Sequence, residues 1–187
     1  MRRRSLLLAA GLLGAQALAR PQLAPPAQQV ELSLRQRLAD LRLAGQATLR
    51  VLGLRVYDAR LFVTPKGLDP RRIDQAFALD LRYARAFSGQ DIARRSREEM
   101  RRLDRGSEAE LARWQARLAE LLPDVAEGDH LSAVHRPDAG TLFLHNGRPL
   151  GEVDDPAFAP AFFAIWLHPD SRAPALRQAL LADAATR

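Results

Sequence analysis

The stretch that decides the fold is His145-Asn-Gly-Arg-Pro-Leu-Gly-Glu-Val-Asp-Asp-Pro-Ala-Phe-Ala-Pro-Ala-Phe-Phe-Ala-Ile-Trp-Leu167. Asn146-Gly147 is the pair that a two-residue hairpin turn prefers, because both central positions of that turn need positive φ. The next six residues, 148–153, are predicted to form a strand. Asp155 can cap a helix, and Pro156 suits a first helical position, where no N–H is needed.

An aromatic helix is predicted to follow this cap. Phe158, Phe162, Ile165 and Trp166 recur at helical spacing and so share one face. His168-Pro169 ends the helix. Four of the eleven aromatic residues of the chain lie here, so we expect this helix at the centre of the core.

The residues before this stretch predict three strands. Leu41 to Arg50 and Leu52 to Thr64 are β-rich, with Gly45 and Gly53 as bend or bulge points. Residues 77–83 alternate apolar and polar side chains, which predicts a strand buried on one face.

Two helices come next along the chain. Ser88 caps the first, which is rich in Arg and Glu and ends near Gly106. Ser107-Glu-Ala-Glu110 is a capping box that opens the second, and Pro123 ends it. The apolar face of the second helix comprises Leu111, Trp114, Leu118, Leu121 and Leu122.

A hairpin series and a last helix complete the order. Strands are predicted over 130–136 and 141–145, joined by a turn at Pro137–Gly140, and the last helix over 173–182. Strands, two helices, strands and two helices predict an α+β fold, an antiparallel sheet with helices packed on one face.

The N-terminus has the pattern of a secretory signal. Residues 1–19 join three arginines, a short apolar run and a small-residue cleavage site, so a periplasmic or secreted protein is expected, with no stable membrane span after cleavage. Residues 20–29 are read as an extended linker before a domain over 30–187. Signal removal lowers the basic residues from 28 to 25 against 22 acidic ones, and the net charge from +6 to about +3, which does not favour nucleic-acid binding.

The residues and motifs that most kinds of catalysis need are absent from the sequence. With no cysteine, disulfides, thiol catalysis and cysteine-ligated metal are excluded. A turn at Pro137–Gly140 would place His130 and His145 on one strand face and His135 on the other, with no third ligand, so no metal is expected. No nucleophile elbow, phosphate loop or dinucleotide fingerprint occurs, and no cofactor is expected.

One group of side chains could bind an anion. Arg50, Tyr57, Tyr83 and Arg85 all lie on the early strands or directly after them, and guanidinium and phenol groups bind carboxylates or phenolates in an apolar cleft. The alternative is structural: the tyrosines fill core edges and the arginines are exposed surface residues.

The 143–181 stretch resembles the bacterial chalcone isomerase-like domain, which is related to the plant chalcone isomerases and to fatty-acid-binding members of that fold. Gly45-Gln-Ala-Thr-Leu-Arg50, Val56-Tyr-Asp-Ala-Arg-Leu-Phe62 and Phe87-Ser-Gly-Gln-Asp-Ile92 are similar to further motifs of the family. The resemblance implies an open-faced antiparallel sheet with helices on one face.

The resemblance also implies positions for the plant active-site residues. Arg50 matches the guanidinium that holds the substrate, Tyr57 falls near the threonine position and Arg85 near the lysine position. The tyrosine position falls on Ile92 and the asparagine position on Glu99. Loss of the phenol and introduction of a carboxylate oppose a developing phenolate, so chalcone cyclisation is not expected.

Three functions follow as hypotheses. The first is an exported protein that binds a small hydrophobic or acidic ligand, such as a fatty acid, through Arg50, Tyr57 and Arg85 without catalysis. The second is an intramolecular lyase or isomerase acting on an unknown substrate. The third is an envelope interaction module that uses the charged helix over 89–105.

Overall fold

The computed structural model describes residues 26–185, so the signal peptide predicted over 1–19 lies outside the described residues. The described part contains the helices α1 Pro26–Arg35, α2 Gly89–Arg102, α3 Glu108–Leu121, α4 Phe158–Leu167 and α5 Pro174–Leu180. Its strands are β1 Arg42–Val51, β2 Leu54–Val63, β3 Phe77–Tyr83, β4 His130–Arg136, β5 Gly140–His145 and β6 Arg148–Val153.

The six strands form one antiparallel sheet in sequential order, β1 to β6. Each strand therefore pairs with its neighbour in the chain, and the predicted α+β fold with an open antiparallel sheet is confirmed. The register shifts between Leu43 and Gly45, as expected for a bulge glycine. A Cβ on Gly45 would lie 2.0 Å from the carbonyl oxygen of Ala179, so α5 packs directly on this backbone.

The larger core lies between the sheet and α2 to α5. At its centre is α4, whose Phe162 stacks or packs edge-on with Phe143, Phe158, Phe163 and Trp166. The predicted aromatic helix is present, but it is buried nearly all round rather than on one face.

The start of α4 differs from the prediction. The helix begins at Phe158, and Ala157, not Asp155, is its N-cap. The Asp155 carboxylate instead accepts hydrogen bonds from the Ala157 amide at 2.9 Å and from the Trp114 indole N–H at 2.8 Å. It therefore ties α3 to the turn that precedes α4.

The opposite face of the sheet is covered in part by α1. Val30 and Leu34 of this helix are fully buried in a second core that includes Phe62, Ala78 and Val134. The predicted linker over 20–29 is wrong for residues 26–29, which belong to α1; residues 20–25 lie outside the described residues. An apolar face, including Val30 and Leu34, makes this segment helical despite its nearby prolines.

β3 is correspondingly buried on both faces, not on one. Asp80 is as inaccessible to solvent as its apolar neighbours in the strand, and only Arg82 is exposed. This central position between β2 and β4, with helices on either side of the sheet, overrides the alternating pattern of the sequence.

The β4–β5 register differs by one residue from the prediction. Gly140 adopts positive φ and pairs with Arg136, so the loop has three residues, 137–139, rather than four. His145 therefore pairs with Leu131, not Ser132, and shares its face with His135. His130 lies on the opposite face, because a one-residue slip inverts the alternation.

Other local predictions are confirmed. Asn146 and Gly147 have φ of 51° and 78°, as the hairpin turn requires. Ser88 accepts a hydrogen bond from the Asp91 amide, and Ser107 forms the reciprocal capping box with Glu110. Between residues 26 and 185, no helix has both the length and the apolar character needed to span a membrane.

Candidate functional site

A cavity of about 850 Å³ opens between the helix face of the sheet and the helices above it. Most of its wall is apolar. The apolar lining includes Leu49, Val56, Leu81, Phe87, Ile92, Phe143, Phe162, Ile165, Trp166 and Leu176. This volume lies within the roughly 300–1,000 Å³ typical of small-molecule sites.

Two tyrosines stand side by side in the cavity wall. Tyr57 of β2 pairs with Tyr83 of β3, and their rings meet edge-on with centroids 6.0 Å apart. The Trp166 indole N–H donates to the Tyr57 hydroxyl at 2.9 Å. Within residues 26–185, neither tyrosine donates its own hydroxyl proton to another group in a hydrogen bond.

Both phenols stay protonated far above neutral pH. Burial raises the pKa of Tyr57 to about 12; the Trp166 hydrogen bond opposes this rise, and the negative charge of Glu99 adds to it. Burial, with a smaller contribution from Tyr57, also raises the pKa of Tyr83. The pair therefore offers hydrogen-bond donors in an apolar surrounding and no base at neutral pH.

Arg50 and Arg85 line the same cavity as the tyrosines, and both are exposed. Arg50 donates only a long hydrogen bond of 3.3 Å, to the carbonyl oxygen of Gly53. The Arg85 guanidinium has no hydrogen bond or ion pair to any described residue. Both cations are thus available to an anion at the cavity wall.

The tip of the β1–β2 hairpin adds apolar surface beside these cations. Val51, Leu52 and Leu54 line the cavity and are exposed, Leu52 to 97%. Exposed apolar groups of this size at a cavity mouth are typical of a ligand or partner contact.

Ile92 and Glu99 of α2, which the family resemblance sets at the tyrosine and asparagine positions of the plant enzymes, also line this cavity. Ile92 offers no polar atom. The Glu99 carboxylate accepts hydrogen bonds or ion pairs from Arg102 at 2.9 Å and Arg172 at 2.7 Å. Its charge is therefore compensated, but it remains an acceptor and cannot stabilise an oxyanion.

The structure thus brings Arg50, Tyr57 and Arg85 to one cavity. Sequence reasoning grouped Tyr83 with them but did not include it in the ligand site, and it assigned Trp166 only to the core. Trp166 could not be linked to Tyr57 from sequence, because 109 residues separate the two side chains.

The charged face of α2 is largely neutralised within the protein. Arg94 pairs with Asp91 and Glu98, while Arg97 and Arg101 both pair with Glu108 of α3. These ion pairs leave little net charge for an acidic partner.

The histidines are dispersed. His135 packs against Phe77 and Phe163, and burial lowers its pKa. His145 lies 3.3 Å from Asp129. No three metal-ligating side chains come together among residues 26–185.

The protein is therefore an α+β domain in which an open antiparallel sheet and its helices enclose an apolar cleft of a size that fits a small molecule. The chain belongs to the chalcone isomerase-like family, whose sequence model matches residues 27–182. A comparison with curated proteins finds no significant match.

Among solved structures, the fatty-acid binding protein AtFAP1 of Arabidopsis thaliana has the same fold. The TM-score is 0.63 at 13% sequence identity, over 78% of this chain and 89% of that one. At this identity the likeness concerns the fold alone. It agrees with the fold predicted from the sequence.

Proposed function

We propose that this protein binds a small hydrophobic carboxylate of the fatty-acid class in the cavity beneath its helices, without catalysis. The observation that carries the proposal is the pairing of a largely apolar cavity of about 850 Å³ with two uncompensated arginines, Arg50 and Arg85, in its wall. The structural neighbour AtFAP1, a fatty-acid binding protein, agrees with it.

The apolar wall would hold the hydrocarbon chain. Each buried methylene contributes about 0.8 kcal/mol, so affinity should rise about fourfold per added methylene until the cavity is full. The exposed hairpin residues Val51, Leu52 and Leu54 extend this surface outward and can shield the part of a chain that leaves the cavity.

The polar groups would hold the carboxylate. Arg50 and Arg85 supply charge at the rim, and the Tyr57 and Tyr83 hydroxyls can donate from within. Donors to an ionised group form the stronger hydrogen bonds.

Catalysis of the chalcone isomerase type has no support from the α2 side of the cavity wall. A developing phenolate needs preorganised donors, and here Ile92 is apolar and Glu99 carries a carboxylate. Both tyrosines keep their protons at neutral pH, so neither is a base.

Binding of dodecanoate by delipidated protein, measured by calorimetry, tests this function. We expect Arg50→Ala and Arg85→Ala each to weaken dodecanoate binding about two- to fivefold, the effect of a rim ion pair of up to about 1 kcal/mol. Arg113→Ala is the matched control, since Arg113 is an exposed arginine of α3 outside the cavity lining. No dodecanoate binding, or equal affinity in the Arg50/Arg85 double variant, would refute the proposal.

The export signal over residues 1–19 makes the periplasm the proposed site of action. Cell fractionation with N-terminal sequencing should find a mature form that begins at Arg20. An uncleaved, cytoplasmic chain would contradict this part of the proposal and leave ligand binding unaffected.

A further inference from the structure

A polar cluster is buried on the other face of the sheet, away from the helix-side cavity. Asp80, His130 and Ser132 are 0%, 1% and 1% exposed and come from β3 and β4. They lie on the face that α1 covers only in part, because their strand neighbours Leu79, Leu81, Leu131 and Ala133 belong to the helix-side core. Buried polar groups are costly unless they are paired, so each partner in this cluster matters.

The Asp80 carboxylate is the centre of the cluster. It accepts from the Ser132 hydroxyl at 2.8 Å, from the Arg60 guanidinium at 2.9 and 3.2 Å, and it lies 3.0 Å from His130 Nδ1. Burial alone would raise the pKa of Asp80, but the hydrogen bonds from His130 and Arg60, with the positive charge of Arg60, lower it. Asp80 is thus an ionised acceptor.

An ionised Asp80 fixes the tautomer of His130. A carboxylate cannot donate, so Nδ1 must carry the proton that it shares with Asp80. In the neutral ring, Nε2 is then a bare acceptor. Carboxylate–imidazole pairs orient histidines in this way at catalytic and metal sites.

His130 Nε2 has no hydrogen-bond partner among residues 26–185, and it is buried. His130 is one of the residues that line a second cavity, of about 450 Å³. A buried acceptor without a partner lowers the free energy of unfolding by about 1–3 kcal/mol. The fold keeps such an acceptor at a residue that lines this cavity.

Besides Ala27 of α1 and Ala47 of β1, the other lining residues are polar and come from neighbouring strands. Gln46, Thr48, Asp58, Arg60 and Arg82 line this cavity. Asp58 is compensated by Arg55 and by the Thr48 hydroxyl at 2.7 Å, and Arg60 is engaged by Asp80. The described residues offer Arg82 no hydrogen bond or close ion pair, only the longer-range attraction of Asp58.

Arg82 stands directly opposite His130 in the β3–β4 ladder. Directly paired residues have Cβ atoms about 5 Å apart, so a single small molecule can reach both side chains. Because Arg82 is exposed, it can move to admit such a molecule to Nε2 without disturbing the core.

We propose that this cavity is a second binding site, for a small hydroxylated anion. The ligand hydroxyl donates to His130 Nε2, and its carboxylate or phosphate pairs with Arg82. Such a ligand needs an acceptor for its hydroxyl proton and a cation for its charge. His130 Nε2 and the Arg82 guanidinium supply these, and neither makes a hydrogen bond to another described residue.

Nitrogen NMR of the histidine rings in the full chain, with lactate, glycerol 3-phosphate and propionate as probes, tests this site. Without ligand, we expect the proton of His130 on Nδ1. Lactate, glycerol 3-phosphate or both should then shift the Nε2 resonance saturably, and the probe that succeeds identifies a carboxylate or a phosphate. Where lactate is an effective probe, propionate, which lacks the hydroxyl, should bind at least about tenfold more weakly than lactate.

Arg82→Gln should weaken the effective probe about two- to fivefold, whereas Arg113→Gln, on the other side of the sheet, should not. These exposed positions avoid the folding problem that a change at buried His130 could cause. A proton on Nε2, equal shifts with propionate and lactate, no shift with either hydroxylated probe, or an unaltered Arg82→Gln would each overturn the proposal. None of these results bears on dodecanoate binding, because the two cavities lie on opposite faces.

Discussion

Tyr57→Phe gives the sharpest test of how the helix-side cavity would hold a carboxylate. The change removes one hydroxyl and retains the ring that packs against Tyr83. That hydroxyl already accepts from Trp166, and within residues 26–185 its proton has no acceptor. We therefore expect a bound carboxylate to take this proton as a hydrogen bond.

The size of the effect depends on the charge of the ligand. A hydrogen bond to an ionised group contributes about 1.5–3 kcal/mol, so the Kd for dodecanoate should rise roughly 10- to 150-fold. A neutral hydrogen bond contributes about 0.5–1.5 kcal/mol, so the Kd for dodecan-1-ol should rise only about two- to tenfold. The ratio of the two losses separates carboxylate recognition from a general loss of packing.

Calorimetry on the folded variants measures both ligands. Tyr57→Phe also leaves the Trp166 N–H without a partner, and this should cost about 1–3 kcal/mol of unfolding free energy in urea. Trp166→Phe is the matched control, because it removes the same hydrogen bond but keeps the Tyr57 hydroxyl. The double variant should recover part of the lost stability, since both polar partners are then absent.

Carboxylate recognition by the Tyr57 hydroxyl is refuted if Tyr57→Phe weakens dodecanoate and dodecan-1-ol by the same factor. It is also refuted if Trp166→Phe weakens dodecanoate as much as Tyr57→Phe does. In the first case the ring, not the hydroxyl, makes the contact; in the second, the hydrogen bond between the two side chains matters rather than the hydroxyl proton.

Three further outcomes are expected. The chain has two tyrosines, and the pKa of each is raised. Alkaline titration of the folded protein should therefore show no tyrosinate absorbance near pH 10, where a free tyrosine is half ionised. The urea-unfolded chain should show the absorbance of both groups at this pH. The lowered pKa of Asp80 stabilises the fold above about pH 4, and this stabilisation is lost as pH falls through the pKa of the folded state. Asp80→Asn should therefore be less stable at neutral pH but lose less unfolding free energy on acidification than the unaltered protein. Urea unfolding at each pH measures this, and equal losses in the two proteins would contradict it. Gly45→Ala would place its Cβ 2.0 Å from a carbonyl oxygen of α5 and should lower the free energy of unfolding by about 1–3 kcal/mol or more. The control Gly53→Ala meets no atom within 4 Å and should lower it by about 1 kcal/mol, through its φ of +79° alone. Equal thermal shifts of the two variants would show that α5 does not depend on this close approach.

The predicted elements that proved right are those with redundant local signals. The Asn146–Gly147 turn and the Ser107 capping box each depend on a few adjacent residues with strong turn or capping preferences. These signals act over a few residues, so they can be read without the tertiary structure.

The errors concern features that depend on distant residues. One extra residue was assigned to the loop after Arg136, because the positive φ of Gly140 was placed in the turn rather than in the strand. That slip grouped His145 with His130, although the two side chains lie on opposite faces. The contact of His130 with Asp80, 50 residues away, depends on the pairing of β3 with β4, which no local signal in the sequence indicates. α1 was missed because its apolar face is short and follows a proline-rich segment.

The candidate cavity was predictable only in part. Arg50, Tyr57 and Arg85 were identified from strand position and family resemblance, and all three line one cavity. The contribution of α4 was not predictable, because Trp166 has the pattern of a core residue and reaches Tyr57 only through the packing of a helix on a sheet.

β3 contributes side chains to the walls of both cavities described above. Alternate residues of this one strand form walls of two separate cavities: Leu79, Leu81 and Tyr83 face one, and Arg82 the other. One inserted or deleted residue in β3 would exchange the faces of every residue beyond it. An insertion or deletion before Asp80 would turn its carboxylate toward the apolar cavity and the leucines toward the polar one, so a change of length in this strand would disrupt both cavities at once.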